Sequence, residues 1–130
     1  MPNTMKAILR VEVAGASTSS ATHEVEAEAY DRIDIVVPAG DNRTVEVQPG
    51  GAGQVQLLLI TAAEYPNDGA GTNLLVYTVD GGSSIDLDAP LLLVGAGAVG
   101  LLCDVNEIVF TNNFTADLTV SILVGRDATA

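Results

Sequence analysis

The chain has very few of the side chains on which metal binding and catalysis depend. Its 130 residues include no Trp, one Cys and one His. A single Cys excludes an intrachain disulfide, and one Cys with one His cannot supply the ligands of a zinc site. We therefore expect no metal and no cofactor, and we predict that the protein is not an enzyme.

Basic residues are also scarce. Five Lys and Arg stand against 17 Asp and Glu, which gives a formal net charge of −12. Phosphate backbones and anionic lipids select basic clusters, so we expect neither nucleic acid nor a membrane as a partner. The longest uncharged run, Ala89–Cys103, is shorter than the roughly 18 apolar residues that suggest a membrane span. Met1–Arg10 lacks the apolar stretch of a secretory signal.

Apolar side chains, by contrast, are abundant. Hydrophobic residues make up 48% of the chain and charged residues only 17%, which is below the roughly 25% that is typical of soluble domains. This composition can fill a packed core and still leave apolar side chains at the surface, where a second subunit would cover them. We therefore predict an oligomer.

The apolar residues follow a period of two, which is typical of strands. Met5–Val13 alternates apolar and polar side chains with one exception, and Ala14–Ala21, which has no periodicity, is predicted as a loop. Glu24–Ala29 alternates again; a helix there would stack two glutamates four residues apart, so a strand is favoured. The run Leu57–Ile60 has lost its alternation, which indicates a central strand covered on both faces.

The remaining segments lead to a prediction of fold. Turn-forming residues such as Pro38–Asp41 separate further strands, and a short helical turn is predicted over Thr61–Glu64. About ten short strands predict an all-β fold, an antiparallel β-sandwich that is jelly-roll-like. We expect one domain over residues 1–130, with residues 1–4 and 125–130 as flexible or interface-forming tails. The other predicted strands are Arg32–Val37, Thr44–Gln48, Gln54–Thr61, Leu74–Val79, Ser84–Asp88, Leu91–Val94, Val99–Cys103, Glu107–Thr111 and Leu118–Val124.

One segment has the spacing of a dinucleotide-binding loop. Gly95–Gly100 reads GAGAVG and follows the apolar Leu91–Val94. Such a loop binds a cofactor when it opens a helix in a βαβ unit, whereas here a polar stretch interrupts after three residues and little chain remains. We therefore predict a Gly-rich hairpin or bulge between strands. The single His23 lies away from any nucleophile pattern, and Cys103, which follows two leucines, is predicted to pack in the core.

Acidic residues offer hard oxygen ligands in two places. Asp86 and Asp88 share one face of a predicted strand, and Asp104, Asn106 and Glu107 fall in one turn. Neither group has the spacing of a calcium loop, so a solvated acidic surface is the favoured interpretation. A carbohydrate- or calcium-binding β-sandwich module is the alternative function.

The C-terminal third carries a family resemblance. Ile108–Asn112 followed by Leu118–Thr129 resembles the small all-β virion proteins of tailed bacteriophages, most of all the capsid decoration, or cement, proteins. The resemblance implies a structural protein made in the host cytoplasm and located on the capsid surface of the virion. It also implies a homo-oligomer, with a trimer favoured. This oligomer would bind the major capsid protein or other virion proteins where capsid subunits meet.

The predicted interface lies at the two ends of the chain. Attachment through Met1–Lys6 is one hypothesis, and Lys6 is the basic residue of that segment. Arg126 and Asp127 follow the last predicted strand and are expected to form a pair at a subunit interface. Short edge strands are also available for pairing with a neighbour.

Overall fold

Strands dominate the molecule. The computed structural model describes residues 3–27, 29–47, 55–65, 74–102 and 107–126. A four-residue helix, α1 (Ala96–Val99), and a 3-10 turn over Gly100–Leu102 follow the eighth strand. The strands of the described residues are β1 (Asn3–Glu12), β2 (Thr18–Ala27), β3 (Ala29–Val37), β4 (Asn42–Glu46), β5 (Val55–Ala62), β6 (Leu75–Val79), β7 (Ile85–Asp86), β8 (Leu91–Val94), β9 (Glu107–Asn112) and β10 (Leu118–Arg126).

Two four-stranded antiparallel sheets form the body of the protein. The first sheet has the order β3-β10-β5-β8, and the second sheet has the order β4-β9-β6-β7. The chain passes from one sheet to the other after every strand from β3 onward except β6, which is followed by β7 in the same sheet. This arrangement of eight strands in two sheets is that of a jelly roll. It confirms the predicted all-β antiparallel sandwich.

The main core fills the space between the two sheets. Tyr77 on β6 and Phe110 on β9 pack with ring centroids 6.2 Å apart. Full burial of one large apolar side chain stabilises a fold by about 1.5 to 3 kcal/mol, so the stability of the body comes mainly from this layer. Its largest fully buried side chains are Phe110, Leu58, Ile60, Leu75, Leu87, Ile108, Leu118 and Ile122.

A buried amide holds one end of the sandwich together. Asn112 ends β9 and has no solvent exposure. Its Nδ2 donates to the carbonyl oxygens of Val37 at 2.9 Å and Ala116 at 2.8 Å, and its Oδ1 accepts from the Phe114 amide at 2.8 Å. A backbone hydrogen bond of 3.0 Å closes the predicted turn over Pro38–Asp41 nearby. One side chain therefore ties three loop and strand ends together.

Strand β5 is covered on both faces, as its leucine-rich sequence predicts. Leu58 and Ile60 point into the core between the sheets, whereas Leu57 and Leu59 lie on the outer face of the first sheet. The hairpin formed by β1 and β2 packs on that outer face. The protein is therefore three layers thick at β5, which is also an interior strand of its sheet, as predicted.

The predicted loop over Ala14–Ala21 is too long. Strand β2 begins at Thr18, which pairs with Glu12 of β1. Ser and Thr in this stretch show no apolar alternation because neither face of the hairpin is covered there. The turn itself is short: Ala16 N donates to the carbonyl oxygen of Val13 at 2.9 Å, and Gly15 adopts a φ of +74° that suits glycine.

The predicted strand over Val99–Cys103 is wrong, and so is the Gly-rich hairpin or bulge before it. Gly95 adopts a φ of +91° and turns the chain out of β8 into α1. The Val99 amide then donates to the carbonyl oxygen of Gly95 at 3.1 Å, which closes the helical turn, and the Val99 side chain caps the core. Apolar residues at this spacing can cover a core from one helical turn as well as from a strand. Cys103 lies outside the described residues.

Two other local predictions need correction. The expected helical turn over Thr61–Glu64 is absent from the described residues, because β5 continues through Ala62 and the Ala63 amide donates to the carbonyl oxygen of Thr119 at 2.9 Å. The predicted strand over Ser84–Asp88 is reduced to Ile85–Asp86. Pairing across the sheet decides both boundaries, and a single segment's sequence carries no record of it.

Candidate interaction surface

The β1–β2 hairpin has two faces of different chemistry. Residues paired across an antiparallel hairpin project to the same side, so the register defines each face. The apolar face carries Met5, Ala7, Leu9 and Val11 opposite Val25, His23, Ala21 and Ser19. The charged face carries Thr4, Lys6, Ile8, Arg10 and Glu12 opposite Glu26, Glu24, Thr22, Ser20 and Thr18.

The body covers only the base of the apolar face. Ala7, Val25 and Leu57 form a small buried cluster between the hairpin and the first sheet. Exposure then rises along β1, from 6% at Ala7 to 36% at Leu9 and 62% at Val11. The far half of the hairpin, residues 8–22, therefore extends beyond the body with its apolar side chains open to solvent. The partly buried side chains around the cluster are Met5, Leu59, Leu92, Val94 and Leu123.

The two long edges of the hairpin are open as well. In the described part of the chain, β1 pairs only with β2, and each strand is ten residues long. Each therefore presents a row of amide and carbonyl groups without a strand partner on its outer side. A two-stranded hairpin by itself is at best marginally stable in water. Its far half consequently gains stability from any surface that covers it.

Four of the five basic side chains are paired with carboxylates. Each of the four arginines lies within 4.0 Å of a carboxylate, whereas Lys6 has no such partner among the residues that the structure describes. In a chain of net charge −12, Lys6 is thus the cation that remains available to another molecule. The arginine pairs are Arg10–Glu12 at 2.7 Å, Arg32–Asp34 at 3.5 Å, Arg43–Asp41 at 2.9 Å and Arg126–Asp31 at 2.5 Å.

An open cleft of about 450 Å³ lies between the start of β1 and the first sheet. It is lined by Thr4, Met5, Lys6, Tyr30 and Leu123. Tyr30 lies more than half exposed at the start of β3, and Leu123 belongs to the leucine-rich outer face of the first sheet. The cleft thus places an aromatic ring, an apolar floor and the available lysine side by side.

A short polar network lies farther along the same outer face. The Ser121 hydroxyl donates to Asp34 Oδ1 at 2.6 Å, and Arg32 lies 3.5 Å from the same oxygen. The Ser121 hydrogen bond, with a smaller contribution from the Arg32 charge, lowers the pKa of Asp34 below its ordinary value of 3.8. Asp34 therefore stays ionised at neutral pH and keeps this end of the sheet polar.

The structure places Arg126, another predicted interface residue, at the end of β10. Arg126 is the last residue of β10, and its guanidinium contacts the Asp31 carboxylate and donates to the carbonyl oxygen of Val47 at 3.3 Å. Arg126 thus joins neighbouring parts of its own chain, and its predicted partner Asp127 lies outside the described residues. Of the predicted tails, residues 3–4 belong to β1 and residues 125–126 to β10.

The described acidic residues of the calcium hypothesis form no group that could hold a metal ion. Asp86 lies exposed in β7, and the amide of Glu107 donates to Asp80 Oδ1 at 2.9 Å. Burial and then the charge of Asp88 raise the pKa of Tyr77 above its ordinary value. Within the described residues, no three Asp, Glu, His or Cys side chains lie close enough together to hold a metal ion. Asp104 and Asn106 lie outside the described residues.

One aromatic ring and the single histidine are exposed. Tyr30 is the one exposed aromatic ring, because the other two tyrosines and both phenylalanines are buried or half-buried. His23 is exposed on β2 opposite Ala7.

Gly95–Gly100 opens only the four-residue α1, and the next strand, β9, belongs to the other sheet. No helix of the described residues has the length and apolar character needed to cross a membrane.

Comparison with known proteins adds no relative: no family model, no curated protein and no solved structure matches this chain.

The sequence pattern located the hairpin but not its exposure. The alternation over Met5–Val13 predicts a strand with one apolar face, and that strand is present as β1. Nothing in the alternation shows that Leu9 and Val11 pass beyond the sheet that covers Ala7. The high proportion of apolar to charged residues was the only indication that apolar side chains would be exposed. It did not indicate where in the chain they would lie.

Proposed function

We propose that this chain is a non-enzymatic structural protein of a phage virion, which binds between capsid subunits as an oligomer, with a trimer favoured, and stabilises the capsid. The observation that carries the proposal is the far half of the β1–β2 hairpin, which exposes apolar side chains on an acidic jelly-roll body. The C-terminal resemblance to capsid decoration proteins supplies the particular setting, on the outer surface of the capsid.

The exposed hairpin supports a role in assembly. Ile8 on the charged face is 70% exposed, and Val11 and Val13 are also largely exposed. Apolar groups that gather at one end of a molecule typically mark a surface for another protein. Jelly rolls include many viral capsid and lectin domains, but a fold alone does not determine function. The hairpin is therefore the more specific argument.

The charge distribution supports a protein partner over nucleic acid. The four arginines are paired with carboxylates on the chain's own surface, so few cations remain to contact phosphates. An acidic exterior also resists nonspecific adsorption to DNA. These properties suit a protein that binds the outside of a DNA-filled shell through apolar and backbone contacts.

The direct test is binding of the purified full chain to expanded capsids prepared without it, measured by cosedimentation. We expect saturable binding and capsids that withstand a higher temperature before they open. The double variant Val11→Ser with Val13→Ser should weaken binding by about tenfold, since interface energy concentrates in a few buried side chains.

A matched control uses a valine on the body. Val36→Ser removes an exposed valine of β3 and should leave binding unchanged. Failure of the unmodified chain to bind such capsids would remove the support for a cement role. Equal loss in the hairpin and body variants would show that the hairpin does not carry the interaction.

A further inference from the structure

We infer that copies of this chain join edge to edge through their hairpins, with β1 of one copy pairing antiparallel to β2 of the next. The inference deepens the oligomer of the proposed function by naming the surfaces that meet. It does not depend on the virion role, because it concerns contacts between identical chains only.

The two strands of the hairpin carry net charges of opposite sign. β1 contains Lys6, Arg10 and Glu12, which sum to +1, whereas β2 contains Glu24 and Glu26, which sum to −2 with His23 neutral. Opposite charges that face each other across paired strands are favourable, and like charges are unfavourable. Contact of β1 with β2 of another copy is therefore favoured, and contact between two β2 edges is disfavoured.

Lys6 is available to a carboxylate of a second copy. Lys6 lies directly opposite Glu24 in the hairpin register, yet no carboxylate of the described residues approaches within 4.0 Å of its amine. The cleft beside Lys6 is open and is lined by three consecutive residues of β1. An incoming β2 strand that carries Glu24 and Glu26 would bring carboxylates to Lys6.

Pairing between copies would also give the open edges of the hairpin a strand partner. Pairing of β1 with β2 joins two different surfaces, and such head-to-tail contacts form rings when the rotation closes. Three hairpins joined in this way make six continuous antiparallel strands. Every hairpin edge in that ring has a partner, and the main-chain hydrogen bonds supply affinity.

The charges allow a swap experiment. One variant combines Lys6→Glu with Arg10→Glu and makes both edges acidic; the other combines Glu24→Lys with Glu26→Lys and makes both edges basic. Each variant alone should have the native mass of a 13.3 kDa single chain, because its β1 edge now repels the β2 edge of another copy. A one-to-one mixture should regain a mass above that of one chain, as pairs or even-numbered rings of alternating variants, because unlike variants supply complementary edges. A mixed three-membered ring would keep one contact between like variants and is not expected. Native mass is measured by light scattering on a sizing column.

Two controls separate edge pairing from other effects. The combination Arg32→Glu with Arg43→Glu changes the net charge as much as the β1 variant does, but it acts on the body and should retain the oligomer. Both hairpin variants place like charges opposite each other within one hairpin, so circular dichroism and amide spectra check that the body remains folded. Rescue in the mixture cannot arise from repair within a hairpin, because those internal repulsions persist there.

Every other result overturns the inference. Retention of oligomer mass by both variants would exclude edge pairing while leaving an oligomeric structural role intact. Dissociation of the β1 variant alone would indicate pairing of β1 with β1. A mixture that stays at single-chain mass, while the amide spectra of both variants show β1 still paired with β2, would exclude pairing of unlike edges. An unmodified chain that is monomeric at high concentration would also exclude the ring, whereas capsid cosedimentation tests the virion role separately.

Discussion

The body and the hairpin of this protein use the same kind of strand in different ways. In the body, two sheets face each other and bury their apolar sides in one core. In the hairpin, the apolar side is buried at Ala7 and open at Val11, only four residues farther along β1. The body thus buries its apolar side chains in its own core, whereas the far half of the hairpin leaves its apolar side chains exposed.

The comparison separates stability from assembly. A side chain in the body should affect folding, while one in the far half of the hairpin should affect association and little else. Val11→Ser is expected to change the free energy of unfolding of the single chain by no more than about 0.5 kcal/mol, as is usual for exposed positions. The following predictions test this separation, beginning with the largest effect.

Phe110→Ala should be the most damaging of these changes. Phe110 is fully buried between the sheets and contacts Tyr77. Removing a buried phenylalanine ring typically costs about 3 to 5 kcal/mol, which is a large part of the total stability of a small domain. Urea unfolding followed by circular dichroism measures the loss. A loss no greater than that of Val11→Ser would contradict the assignment of the core to this layer.

Leu57→Ala should loosen the hairpin more than the body. Leu57 forms the buried cluster with Ala7 and Val25. Its truncation should lower the free energy of unfolding by about 2 to 3 kcal/mol and weaken the packing of the hairpin on the first sheet. Hydrogen exchange should become faster at β1 and β2 amides while Ile122 in the core stays protected. Uniform acceleration across β10 and the hairpin would mean that the two regions unfold as one unit.

Asn112→Ala should destabilise the body by about 2 kcal/mol. The substitution leaves two carbonyl oxygens and the Phe114 amide without their buried partner, and unsatisfied groups carry that order of penalty. Asn112→Asp is the matched variant, because it keeps the acceptor and loses both donated hydrogen bonds. Its defect should shrink as the pH falls, since a protonated carboxyl can donate again. Thermal unfolding at several pH values distinguishes the two variants.

The smallest expected effect concerns acid stability. Because the pKa of Asp34 is lower in the folded protein than its ordinary 3.8, its contribution to stability is present above that value and is lost as the pH falls through the folded pKa. Ser121→Ala removes the largest cause and should move the pKa back upward in an NMR titration. Asp41, whose pKa is lowered mainly by Arg43, serves as the internal control and should not change.

Much of the body could be predicted from local pattern. The alternation around β9 and β10 and the fully apolar run in β5 reflect burial that each strand experiences along its whole length. The prediction failed where a partner strand decides the structure, as at Thr18, which is polar but paired with β1. It also failed at Val99, where a glycine with positive φ redirects the chain and a helical turn covers the core.

The candidate surface was harder to predict for a related reason. Lys6 was proposed as an interface residue from its place near the chain start, and the structure sets it beside an open cleft. Leu9 and Val11 have the same alternation as Ala7, and only the length of the underlying sheet separates them. Where one layer ends relative to another is a property of three-dimensional packing that periodicity does not encode.

The position of β10 has a mechanical consequence. This strand lies between β3 and β5, paired over nine residues on one side and over seven on the other. Antiparallel hydrogen bonds stand perpendicular to the strands, so a pull along β10 loads both ladders in shear and many bonds must fail together. The hairpin responds differently, because a pull that separates β1 from β2 opens their pairs one after another. Tension applied between the start of β1 and the end of β10 would therefore separate β1 from β2 first, while the body would stay folded to higher force.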